Sequence, residues 1–412
     1  MRPGNDSPRP VPRSPRRLDG LWRDPRQILA QWADAGSVDS RILHARTRGP
    51  WWEFLDHSGL TIFVGREYEH LVLAISMWRG KPRVSYLPLP HPSGIAFDAR
   101  RNLLHIASTR NPNQVFSLAP ITSMLPLHRL TAQPLLAEYR PMVPKLSVVV
   151  PGSFYLHDLA LIDGRLHGAA AGRNTVICLD PPSLPHDSWW PRSVAHDDGP
   201  VTDRNYLQLN SIAAAATLQA SYFTASSARP ATRRPGHRDY RINRRGVIFS
   251  GATREPSTHG LTRPHSARLT ANSLLAANSG YGELVSARLP SSSFDVICRL
   301  PGWTRGLAVI GDTALLATSR ILPGFEQYAP GIEPAHATCG IHAIDLTSGK
   351  ILASLLWPLG DQIFAVEAVP RAVTHGFLHA VGRSRPSFDA TRTLFGYSPL
   401  PSPHSDPLLR RF

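Results

Sequence analysis

From Gly59 onward the apolar residues recur in short alternating runs separated by turn residues, not at helical spacing. LTIFVG, HLVLAIS, RVSYLPL, GIAFD, NLLHIAS and QVFSLAP are examples. Asp163-Gly164 and Thr347-Ser348-Gly349 read as hairpin turns. Before Gly59 the period is helical. Asp24 suits an N-cap, Pro25 the first helical position, Ile28, Leu29 and Trp32 an apolar stripe, and Gly36 the stop. A second short helix is predicted from Trp51 to Leu55, ending before Ser58-Gly59. The chain divides into a disordered Pro/Arg-rich tail (1–20), a helical segment (21–58), a β-rich body (59–398) and a C-terminal tail (399–412).

A repeat narrows the β-rich body to one architecture. Six segments share a loop or polar residue, a small residue and an apolar alternation: SGIAF (93–97), HDLAL (157–161), NSIAA (210–214), HSARL (265–269), RGLAV (305–309) and FAVEA (364–368). They begin 40 to 64 residues apart, against about 40–50 residues per blade in propellers with loop insertions. The second position is mostly small (Gly94, Asp158, Ser211, Ser266, Gly306, Ala365), as an innermost strand near the axis requires. The third is apolar (Ile95, Leu159, Ile212, Ala267, Leu307, Val366) and is expected to pack blade against blade. A weaker copy near Leu60 leaves the count at six or seven. The expected fold is an all-β propeller of six or seven blades with a short helical N-terminal segment.

Composition adds little chemistry. The net charge is +15, yet only Lys81, Lys145 and Lys350 are lysines. Abundant Arg, Pro and Ala with so few lysines is the mark of a GC-rich coding sequence, so the charge is weak grounds for nucleic-acid binding. No apolar run follows the basic N-terminus, and none approaches the roughly 20 residues that span a bilayer. Cys178, Cys298 and Cys339 are odd in number and widely spaced, which fits a reducing cytoplasm and packing roles. Residues 226–245 carry seven arginines and one aspartate and are expected to form an exposed, unanchored loop in the third repeat.

YLHDLALIDGRL, DRNYLQLNSIA, GLTRPHSARL with NSGYGEL after it, PGWTRGLAVIGD and CGIHAIDLTSGKI resemble, in order, the motifs of a bacterial family of uncharacterised proteins, a domain of unknown function. The resemblance covers about residues 55 to 385 and implies a β-propeller with no established activity. It also implies two departures: Gln208 stands where the family tends to have His, and Ala365 where it tends to have Asp. A polar site shared at those positions would be incomplete here.

G-x-S-x-G, Walker, H-E-x-x-H and C-x-x-C motifs are absent. The informative set is the first column of the repeat: Ser93, His157, Asn210, His265 and Arg305, with Asp158 and Ser266 beside it. Entering the inner strands from one edge, these residues are expected around one mouth of the central channel. Singly, each is more often structural, bonding the next blade. The ligand-binding candidates are therefore His157, Asp158, Asn210, His265, Ser266 and Arg305. Arg305 with the histidines suits a small anion. His157, Asp158, Asn210 and His265 offer N and O donors for a divalent metal, although one carboxylate is thin. The leading expectation is a module binding a small anionic ligand or a protein partner through the mouth, with neither nucleic acid nor membrane as partner. The alternative is an enzyme at the same mouth, a metal-assisted hydrolase or lyase or one acting on an anionic substrate. No cofactor is named by the residues.

Overall fold

Each of the six repeated segments forms the first strand of its own antiparallel sheet. These strands are Pro92–Asp98, Leu156–Ile162, Leu209–Ala213, Pro264–Leu269, Trp303–Ile310 and Ala365–Pro370, here the inner strands of blades 1 to 6. The computed structural model describes residues 38–380, apart from 111–112, 122–137, 151, 153, 181–184, 203–206, 234, 236, 272 and 290–291. The helix expected over 24–36 and both predicted tails, 1–20 and 399–412, lie outside these residues.

The sheets form a six-bladed β-propeller. The copy near Leu60 is not a seventh blade. Leu60–Arg66 pairs with Ala365–Pro370, with Gly65 opposite Ala365 and Leu60 opposite Pro370. Blade 6 is thus completed by strands far apart in sequence, which closes the ring. Arg46–Arg48 adds a fifth strand to blade 5 along Ile351–Leu356. The helix runs Trp51–Ser58, longer than expected, and ends at Gly59 in the left-handed region (φ 65°). It buries Trp51 and Leu55 with side chains of blades 5 and 6, among them Ile62, Leu315 and Leu355.

The second and third columns have distinct packing roles. Every third-column residue is at most 1% exposed, as blade-against-blade packing demands. The second column meets the next blade's inner strand directly. A Cβ on Gly94 would lie 2.4 Å from the Leu159 amide nitrogen, and one on Gly306 2.8 Å from the Ala365 carbonyl carbon. Where the second residue is polar, its oxygen accepts an amide of the next blade. Asp158 takes Ile212 N–H (3.1 Å), Ser211 takes Ala267 N–H (3.0 Å) and Ser266 takes Gly306 N–H (2.9 Å). Small side chains are required here by a neighbouring backbone, a more specific cause than crowding at the axis.

In each blade the second strand returns to the level where the first began: Ala225 pairs with Leu209, and Ser319 with Trp303. The connections from second to third strand therefore share one face with the first column. Residues 226–245 form that connection in blade 3, and the expectation of an unanchored loop is wrong. Tyr240 and Ile242 are buried against Tyr328, with Phe325 alongside, on the corresponding connection of blade 5. Arg244 N–H donates to Thr262 Oγ1 (2.8 Å), and Tyr281 Oη to Asn243 Oδ1 (3.0 Å). Two apolar residues in an arginine-rich stretch make no periodic signal, and their partner lies two blades away. Tyr240→Ala should speed tryptic cleavage after Arg241, Arg244 and Arg245 by about tenfold or more, through easier local opening. A digestion time course read by mass spectrometry checks this, and equal rates in parent and variant would dismiss the anchor.

Candidate site at the channel mouth

Most of the first column, His157, Asn210, His265 and Arg305 with Phe364, comes together at one mouth. Inner strands bulge where they enter, with register shifts between Pro92 and Ile95, His265 and Arg268, and Arg305 and Leu307. Ser266 (φ 52°) and Gly306 (φ 71°) take left-handed backbone there. The His157 and His265 rings lie stacked 6.5 Å apart, and His157 meets the edge of Phe364 at 5.5 Å. Arg305 lies 3.7 Å over the Phe364 ring and 5.0 Å from that of Trp303, and Nη2 donates to His265 Nε2 (3.1 Å).

Not every predicted residue belongs to this group. Ser93 is wholly buried, and its hydroxyl donates to the Leu156 carbonyl of blade 2 (2.6 Å). Ser266 is taken up by Gly306. Asp158 holds the Ile212 amide and pairs with Arg268 (3.2 Å), deeper along the channel. Burial raises the Asp158 carboxyl against the opposing pull of Arg268. The Glu367 carboxyl, influenced by both, is pushed up to about 7, chiefly by burial. His157 and Asp158 are consecutive, and alternation along a strand sends them to different surroundings. Among the described residues no three His, Cys, Asp or Glu side chains are grouped to hold a metal ion.

Two residues upstream of the first column stand His91, Tyr155, Gln208, Arg263, Trp303 and Gln362, an outer ring of which sequence reasoning singled out only Gln208. The first four have positive φ, between 41° and 55°. Left-handed backbone at bulky residues is costly and clusters where a site is over-determined. Arg263 stacks 4.0 Å from the Tyr328 ring. Phe364 heads the sixth repeat, so its column already pointed to it. Glu67, Tyr68 and Arg110 come from second-to-third-strand connections, and only the closed ring brings them near.

The mouth is cationic. Glu67 pairs with Arg110 (2.9 Å). Among the described residues no carboxylate is within ion-pair distance of Arg263 or Arg305, and Arg305 Nε and Arg263 Nε and Nη1 are buried without a hydrogen-bond partner. Burial pulls the Arg305 guanidinium down to about 9; Glu67 opposes this, and Arg263 and Arg110 add to it. The group remains charged at neutral pH. Burial, then Arg305 and Arg263, hold His157 and His265 well below the usual histidine range, so both are neutral. Cys178 and Cys339 are buried and Cys298 partly so, and all three are free thiols.

The fold and this mouth define a six-bladed propeller with a buried, electropositive channel entrance. The chain belongs to the family described as Domain of unknown function (DUF4915), whose model matches residues 49–377. No curated protein matches it in sequence. Similar solved structures include a chain of a nidogen/laminin complex, at 9% identity and TM-score 0.49, covering 75% of this chain and 98% of that one. A gluconolactonase from Xanthomonas campestris is similar at 12% identity and TM-score 0.42, over 73% of this chain and 86% of that one. No helix among the described residues is long and apolar enough to cross a membrane.

Proposed function

We propose that the channel mouth binds a small anion, with Arg305 and Arg263 as its principal donors and Phe364 and Trp303 as the walls that orient Arg305. The observation that carries this reading is the pair of buried guanidinium groups with unused N–H donors and, among the described residues, no carboxylate of their own. A buried donor left unmade costs about 1–3 kcal/mol, more when charged, and planar anions match the guanidinium fork. Strained backbone at Arg263 supports the same reading. Metal-assisted chemistry draws no support from the donor set, because Asp158 is engaged by Arg268 and Ile212.

Thermal melts in sulfate, phosphate and small carboxylates, against chloride at equal ionic strength, test the proposal. The parent should be stabilised by at least one of them, by about 2.7 kcal/mol at a hundredfold excess over Kd. The same melting temperature in every anion would remove the reading.

A further inference from the structure

The hydrogen-bond network assigns the proton on each mouth histidine. Asn210 Nδ2 lies 3.0 Å from the Pro264 carbonyl, which can only accept, and 3.1 Å from Ser226 Oγ. That fixes the amide, so Asn210 Oδ1 faces His157 Nδ1 at 3.2 Å and the proton is on Nδ1. His265 Nδ1 is 2.7 Å from the Arg263 carbonyl, so it too carries the proton. Each neutral ring then presents an Nε2 lone pair. His265 Nε2 is occupied by Arg305 Nη2. His157 Nε2 has no hydrogen-bond partner among the described residues.

His157 Nε2 is thus an acceptor in a mouth with unused donors on Arg263, Arg305 and Trp303. It is close to the anion's proposed seat, since His157 and Arg305 both pack on Phe364 and both adjoin His265. A hydroxyl beside the anionic group of a ligand at Arg305 can donate to this lone pair in place of water. A cationic donor such as ammonium is opposed by Arg110, Arg263 and Arg305. We propose that the ligand is a hydroxy acid anion, with its charged group on Arg305 and its neighbouring hydroxyl donating to His157 Nε2. This rests on the anion reading above and adds the ligand class and the residue that selects it.

Calorimetric titration of the full chain with acetate, glycolate and glycine, and with propionate and lactate, tests it. Glycolate should bind about tenfold more tightly than acetate, lactate likewise exceed propionate, and glycine gain nothing over acetate. In His157→Phe the glycolate preference should collapse to about one while acetate binding persists; His157→Gln, which keeps an acceptor, should retain part of it. Equal binding of glycolate and acetate by the parent overturns the hydroxyl assignment and leaves the anion site standing. An undiminished preference in His157→Phe overturns the role of His157. No binding of any of these carboxylates overturns the hydroxy acid proposal, and the sulfate and phosphate melts then decide the anion reading separately.

Discussion

Arg305→Ala should leave the propeller folded and abolish the stabilisation by anions proposed for the parent. Removing one member of a buried ion pair costs roughly 3–5 kcal/mol because the other is stranded. Arg305 strands no carboxylate, since none lies within pairing distance among the described residues. Its hydrogen-bond partner is the neutral His265 Nε2. Losing that bond and the stacking on Phe364 costs about 2–5 kcal/mol, and release of a buried, partly unsatisfied charge, itself worth several kcal/mol, offsets it. The melting temperature in chloride should therefore stay close to the parent's, or rise. The increment in the anion that stabilises the parent should vanish. Melts of parent and variant with and without that anion check both arms. A collapse in chloride would make Arg305 a structural residue.

Asp158→Ala has the opposite signature. Asp158 accepts the Ile212 and Leu159 amides and pairs with Arg268. Alanine there leaves the Ile212 N–H without its acceptor at the junction of blades 2 and 3, and the half-buried Arg268 guanidinium without its carboxylate, with the Ala267 and Ile212 carbonyls as its remaining acceptors. The expected loss is about 3–5 kcal/mol. Adding Arg268→Met should recover a large part of it, because the stranded charge goes with it. Denaturant unfolding of both variants checks this, and equal stabilities would show that Arg268 is indifferent to Asp158. Below its unfolding transition Asp158→Ala should keep the anion response of the parent, as Asp158 is no part of the mouth.

The two residues show how far the mouth could be read in advance. His157, Asn210, His265 and Arg305 hold the same position in successive repeats, and equal positions in a closed ring face the same opening. Asp158 and Ser266 adjoin that column in sequence and were grouped with it. The bulge and the strand's alternation send them to the next blade instead. Phe364 was within reach, since it occupies the same column. Arg263 and Trp303 follow the same logic two residues upstream, where turn geometry conceals the repeat.

The chain's own pattern determined the architecture. Short alternating runs at blade spacing, with a small residue before an apolar one, specify a ring of sheets, because every blade presents the same surroundings to its inner strand. Three matters belonged to the tertiary structure. The blade count waited on the pairing of Leu60–Arg66 with Ala365–Pro370, a contact between distant segments that no local pattern encodes. The arginine-rich stretch waited on Tyr328, the partner that buries Tyr240 and Ile242. The charge balance of the mouth waited on which carboxylate reached which arginine: Glu67 reaches Arg110, Asp158 reaches Arg268 away from the mouth, and among the described residues no carboxylate reaches Arg263 or Arg305. Ion pairing depends on separations of a few ångströms across the ring, and those distances exist only once the ring is closed.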